Sequence, residues 1–260
     1  YDENELLSYL DNLDQGTQGD LVGSDAYWQG KSLHPLGMGV LVADQIGNTE
    51  YRDKFLGKMK TILTDWLTYS GEGDQAFFFY DKNWGTLYYK DSEFGANRDI
   101  SDHHFTYGYF VFACSVLATY DDEFYQDYKE MIDLIVRDYA SPDKNDNMFC
   151  RYRSFDPYEG HSWAGGYADN DDGNNQEAGS ESLFGWVGAY LWATKREDKK
   201  MRDSAIFGFT TELNAVEHYW FNYYGNTNDG LDHSGWPEDW PSKIIAVSYT
   251  HLRAHETLRH

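Results

Sequence analysis

The sequence predicts an all-α fold, an α/α toroid with small β-hairpins inserted in its loops. Three observations carry that expectation. Apolar and amphipathic helical stretches alternate along the chain, short turns join the two members of each pair, and long Gly/Asp/Asn/Trp-rich loops separate the pairs. In such a ring the apolar helices lie inside and the amphipathic ones outside.

The elements follow in order. Residues 3–13 offer a first helix. Residues 31–46 place Leu33, Leu36, Val40 and Ala43 on one stripe and stop at Gly47-Asn48. Pro35 is expected in that helix's first turn, where proline is tolerated. Residues 50–69 repeat the pattern through Phe55, Met59, Ile62, Leu63, Trp66 and Leu67. Residues 77–80 and 86–89, around Asn83-Trp-Gly85, read as a hairpin set in a loop. Residues 105–120 are apolar enough for a buried helix, and residues 122–139 are amphipathic and end before Ser141-Pro142. Residues 177–194 and 198–219 make a third pair. One catalytic-type domain is expected over residues 1–242. Residues 243–260, with three of the nine histidines and a change of style, read as a non-native tail.

Bulk composition narrows the function. The formal charge is −23, from 44 acidic and 21 basic residues. Such a surface argues against nucleic acid and anionic membranes, which select basic proteins, and it accommodates a neutral polysaccharide. Aromatic residues make up 18% of the chain, including 22 Tyr and 9 Trp. That is enough to serve both a core and a wet groove, where flat apolar faces with polar edges suit sugars. Cys114 lies in an apolar run and reads as a buried thiol, and with Cys150 it makes no disulfide framework. No stretch reads as a membrane span or a signal segment, and the chain opens on Tyr1.

Three segments hold more polar and aromatic side chains than packing needs. The first, Ser101-Asp-His-His-Phe-Thr-Tyr-Gly-Tyr109, opens the buried helix. An Asp there has an ordinary role as a helix cap. His103 and His104 are adjacent and cannot both face one metal from a helix, and no H-E-x-x-H pattern exists, so a zinc site is not expected. The second, residues 153–166, combines Asp156, Glu159, His161 and Trp163 with glycines that let backbone approach a ligand. The third, residues 169–181, fails the calcium-loop spacing, since Ala168 and Gly179 fall where acids belong. It leaves Glu177 and Glu181 four residues apart at the start of an apolar helix, on one helical face. Two carboxyl groups, one to protonate a leaving oxygen and one to activate water, are the inventory of glycoside hydrolysis, which requires neither metal nor cofactor.

The motifs resemble a known family. Asp102-His-His-Phe-Thr-Tyr-Gly-Tyr-Phe110 is similar to the D-H-H-F-H-Y-G-Y-F segment of glycoside hydrolase family 81 endo-β-1,3-glucanases. Phe155-Asp-Pro-Tyr-Glu-Gly-His-Ser-Trp-Ala-Gly165 resembles their F-D-x-Y-x-G-H-S-W-A-x-G, and Asn175-Gln-Glu-Ala-Gly-Ser-Glu181 their N-Q-E-S-x-S-E. Tyr27-Trp-Gln-Gly-Lys31 and Tyr80-Asp-Lys-Asn-Trp-Gly85 match weaker landmarks. The resemblance implies an (α/α)6 toroid, normally preceded by a β-sandwich with no counterpart in these residues. It also implies secretion or cell-wall association, and endo-hydrolysis of β-1,3-glucan with inversion. Asp102 then stands as general acid, Glu181 as the base that activates water, and Glu177 as an assistant. Inversion implies that acid and base lie roughly 6.5–9.5 Å apart. Tyr27, Trp28, Tyr80, Asp81, Trp84, His103, His104, Tyr107, Asp156, His161, Trp163 and Asn175 are the expected substrate-binding side chains. Thr106 departs from the family's usual His, and Ala178-Gly179 from its usual serines. A non-catalytic glucan-binding protein is disfavoured because all three carboxylates are kept. A polysaccharide lyase is disfavoured because an acidic cleft repels uronates.

Overall fold

The computed structural model describes residues 2–17, 19, 21–166, 174–176 and 178–221. Seven helices and two short hairpins follow in the order α1 (Glu3–Gly16), α2 (Ala26–Gln45), α3 (Thr49–Trp66), β1 (Phe78–Asp81), β2 (Thr86–Tyr89), α4 (His103–Tyr120), α5 (Asp122–Ala140), β3 (Phe155–Asp156), β4 (His161–Ser162), α6 (Gly179–Lys195) and α7 (Lys199–Tyr219). The expected tail at residues 243–260 lies outside the described residues, as does Glu177. No helix among the described residues is long and apolar enough to cross a membrane.

Helix α4 is the centre. It is buried on all sides from His103 to Ala118, as a helix apolar all round must be. Helices α2 and α6 flank it, and each of the three is followed after a short turn by an outer helix, α3, α5 or α7. The outer helices begin on side-chain caps: Asn48 accepts from Tyr51 N, Asp121 from Phe124 N and Asp198 from Met201 N. Helix α5 buries one face through Phe124, Ile132, Ile135, Val136 and Tyr139. A fully buried side chain of this kind contributes about 1.5–3 kcal/mol.

Small residues let the inner helices touch. A Cβ on Gly108 of α4 would fall 2.6 Å from the Cα of Gly185 on α6, and one on Gly188 would fall 2.9 Å from the Gly108 carbonyl. His104 on α4 is the neighbour of Gly185, so both helices advance in the same direction. Gly30 meets Tyr109 and Gly37 meets Phe112, which makes α2 parallel to them as well. The N-termini of α2, α4 and α6 therefore share one end of the molecule, where residues 99–102 are bonded to residues 164–166.

Boundaries differ from expectation in informative ways. Helix α2 starts at Ala26 because Asp25 caps it through Trp28 N at 3.0 Å. Pro35 accordingly lies in the helix interior, where it removes one backbone bond. The fully buried Leu33 and Val40 on either side hold the helix through that defect. Helix α3 ends at Trp66, and Tyr69 is exposed beyond it. The first hairpin is paired Phe78↔Tyr89 to Asp81↔Thr86, one residue later on its first strand than the expected 77–80. The second hairpin, Phe155↔Ser162 and Asp156↔His161, orders a segment that reads only as a glycine-rich loop.

Candidate active site

Glu181 stands in the first turn of α6 and is 8% exposed. Its Oε1 accepts from the Tyr109 hydroxyl of α4, from the Tyr27 hydroxyl at 3.2 Å and from Lys31 Nζ at 3.3 Å, both on α2. Three inner helices thus converge on one carboxylate oxygen. The Lys31 ammonium also lies over the rings of Tyr27 and Tyr109, at 5.4 and 5.8 Å from their centroids. Burial, then the Glu181 charge, raises the Tyr109 phenol far above its ordinary value, so it stays a donor.

Asp102 is the residue before α4, half-buried, with φ 60° in the left-handed region. Its carboxylate makes no cap to the helix, so the ordinary capping role does not account for it. Its backbone N–H donates to the Ala164 carbonyl at 2.8 Å, and Ala164 N donates to the Asn175 carbonyl at 2.9 Å. This chain of bonds ties all three motif segments to the start of α4. Ala178, before α6, is also left-handed at φ 53°. Such strain costs on the order of 1–3 kcal/mol and clusters where function over-determines the backbone.

Behind Asp102 lies a buried ionic network. His103 Nδ1 is 2.9 Å from Asp138 Oδ1, and its Nε2 is 3.0 Å from the Ala96 carbonyl. Asp138 also accepts from Thr86 Oγ1, Leu87 N and Arg153 Nε at 2.8, 2.7 and 3.2 Å. Burial pushes the Asp138 carboxyl up, but Arg153 and His103 outweigh it and hold the group below the usual carboxylate value. The network fastens the first hairpin to α4 and α5.

Several expected sugar-binding residues therefore have other work. His103 is fully buried with both ring nitrogens engaged. Tyr107 is fully buried and donates to the Leu87 carbonyl at 2.6 Å. Tyr80 donates to the Met148 carbonyl at 2.6 Å and packs on Phe149. Asp81 accepts from Asn83 N and Trp84 N and closes the hairpin turn. His103 and Tyr107 are engaged because buried polar groups must be paired, while Tyr80 and Asp81, both partly exposed, are engaged in holding the first hairpin. The Tyr27 hydroxyl is spent on Glu181. His104 is buried, neither ring nitrogen has a partner among the described residues, and burial pushes its imidazole down to about 3.

Other expected residues are placed at the surface. Trp84 is 62% exposed at the hairpin tip. Trp28 is half-buried, packs edge-on against Tyr27 and donates to Glu93 Oε2 at 2.7 Å. Trp163 and Asp156 line a cleft with Arg153, Ser154, Gly165 and Asn174, beside Ala164, whose carbonyl holds the Asp102 N–H. Asp156 accepts from Tyr158 N and Glu159 N, which hold its carboxyl below the usual value. His161 is buried, with its ring 4.6 Å from Trp163 and 4.9 Å from Trp220. Asn175 is exposed.

Sequence reasoning missed Lys31 and Tyr109 as partners of Glu181, although both lie inside the quoted motifs. It also missed Phe94, 55% exposed and packed on Tyr27 at 5.3 Å, which carries no motif at all. Glu212 of α7 was missed as well. Fully buried, it accepts from Ser162 N, Ser162 Oγ and Trp186 Nε1, each at 2.8 Å, and so anchors the second hairpin.

Comparison with known proteins agrees with this arrangement. The family model described as the glycosyl hydrolase family 81 C-terminal domain matches residues 8–234. A glucan endo-1,3-beta-D-glucosidase of Acetivibrio thermocellus is 42% identical over 86% of this chain and 29% of its own length. One of Thermobifida fusca is 37% identical over 89% of this chain and 33% of its own length. A solved mutant of glycoside hydrolase family 81 from Clostridium thermocellum superposes with a TM-score of 0.84 at 38% identity, over 95% of this chain and 33% of that one. The chain thus spans about a third of the length of these relatives. Through the domain it shares with them, it belongs to glycoside hydrolase family 81.

Proposed function

We propose that this domain hydrolyses β-1,3-glucosidic bonds inside β-1,3-glucan chains, with inversion at the anomeric carbon. Asp102 donates a proton to the glycosidic oxygen as its bond to the anomeric carbon breaks. Glu181 takes a proton from a water molecule whose oxygen bonds that carbon from the opposite face. The β-linkage yields an α-hemiacetal, and the two carboxyls end in exchanged protonation states. The observation that carries this reading is the pairing of Asp102 and Glu181 at the same ends of two parallel, touching helices, with neither spent on a helix cap.

Glu177 assists the base or binds sugar. Trp28, Trp84, Asp156, Trp163 and Asn175 line the subsites. The three inner and outer helix pairs form an arc of an (α/α)6 toroid, and residues 1–242 belong to the catalytic domain as an incomplete part of that ring. The substrate is an extracellular or cell-wall glucan, and the named relatives, glucan endo-1,3-beta-D-glucosidases, support that choice.

Reducing-sugar release from laminarin or curdlan, with the product anomer followed by NMR, tests the reading. Release of the α-anomer by the parent, lost in Asp102→Asn and Glu181→Gln, is the expected result. A folded parent without release, a β-anomer product, or unchanged release in either variant overturns it.

A further inference from the structure

The three described donors on Glu181 all meet Oε1, and no donor among the described residues bonds Oε2. The asymmetry is built from separate elements, with Lys31 and Tyr27 on α2 and Tyr109 on α4. We propose that Lys31 and Tyr109 are positioning residues that fix the Glu181 carboxylate through Oε1 and leave Oε2 as the sole proton acceptor. The inference rests on the hydrolase reading, in which Glu181 is the base.

Lys31 is the more telling of the two. Its side chain is 13% exposed, wedged between two aromatic rings and a carboxylate that is itself 9% exposed. Burying such an ion pair costs several kcal/mol of desolvation per charge, and a well-packed apolar pair of similar volume commonly serves stability as well or better. Stability alone therefore gives little reason for a cation here. A base needs what this geometry provides. Two helices hold one oxygen, so the carboxylate plane cannot rotate, and an acceptor fixed to within a few tenths of an ångström keeps its water in line. The Tyr109 hydroxyl, whose phenol proton is retained by burial, adds a donor that does not titrate in the working range.

Tyr109→Phe removes one hydroxyl and keeps the ring that packs against Gly30 and Phe184. Lys31→Met keeps the stem. Each is made in the parent and in Glu181→Gln, and folding is checked by circular dichroism and urea midpoints. The expected result on laminarin is a fall in kcat of about tenfold or more for Tyr109→Phe, with KM within about twofold, because the lost interaction serves the transition state. In the Glu181→Gln background neither substitution lowers the residual rate further, because residues acting through one group are not additive. An unchanged kcat in folded Tyr109→Phe, or the same loss with and without Glu181, overturns the positioning role alone. A folded parent without activity overturns the hydrolase reading and this inference together.

Discussion

Gly108 of α4 lies so close to Gly185 of α6 that a methyl group on the first would sit 2.6 Å from the α-carbon of the second. Neither atom belongs to a flexible side-chain end, so the clash is relieved only by moving a helix. Gly108→Ala is expected to destabilise the domain by about 1–3 kcal/mol, as overpacking does. It also widens the space between Asp102 and Glu181, the residues at the adjoining helix ends. A urea midpoint equal to that of the parent would contradict this contact.

Asp138 accepts four donors from three elements, and Arg153 loses its only charged partner among the described residues if Asp138 is neutralised. The Arg153 side chain is 4% exposed. Breaking one side of a buried pair costs about 3–5 kcal/mol. Asp138→Asn is therefore expected to lose most of the domain's stability, and chemical denaturation measures it. A loss below about 1 kcal/mol would mean that water reaches Arg153.

Much of this architecture was legible because burial leaves a plain trace. The strongly apolar run 105–120 identified the central helix, and the stripes of α3 and α5 identified outer helices. The extent of α2 was not legible, because its cap depends on Asp25, well before Leu33, where the apolar stripe begins. For the candidate site, the resembling motifs singled out Asp102 and Glu181, which lie at the same ends of α4 and α6. They could not say which flanking polar residues are turned into the core. His103 and His104 are neighbours in one motif. One is locked between Asp138 and Ala96, the other is buried without a described partner, and only the helix's rotation separates them. Asp138 and Glu212 lie in stretches that look like ordinary amphipathic helix, and Arg153 in a segment read for its acids and aromatics, so their burial was beyond sequence reach.

His104 makes stability depend on pH. Its folded value, about 3, lies below the ordinary 6.5, so in that window the unfolded chain binds more protons and stability rises with pH. Stability from His104 is thus intact above pH 6.5 and falls by up to about 1.4 kcal/mol per unit as pH drops toward 3. Glu212 acts the other way. Burial raises its carboxyl above 4.5, so its contribution is present below that value and is lost as pH rises through the folded value. Replacing His104 with Leu separates the two. The stability of His104→Leu relative to the parent should increase between pH 6.5 and 4.5 on acidification, as read by urea unfolding. A difference independent of pH would show that His104 is protonated in the fold.

Glu212→Gln tests the second hairpin's anchor. The two carboxylate oxygens face only donors: Ser162 N on Oε1, and Ser162 Oγ with Trp186 Nε1 on Oε2. An amide must turn its NH2 toward one side or the other. With the amide nitrogen at Oε1 it opposes a backbone N–H, and at Oε2 it opposes the indole N–H. Rotation of the Ser162 hydroxyl relieves neither clash. One buried donor is left without an acceptor in either orientation, at a cost of about 1–3 kcal/mol. The loss falls on the segment that carries His161 and Trp163, so hydrogen exchange at Ser162 N should quicken more than exchange in α4. Equal protection in both segments would place the hairpin's stability elsewhere than in Glu212.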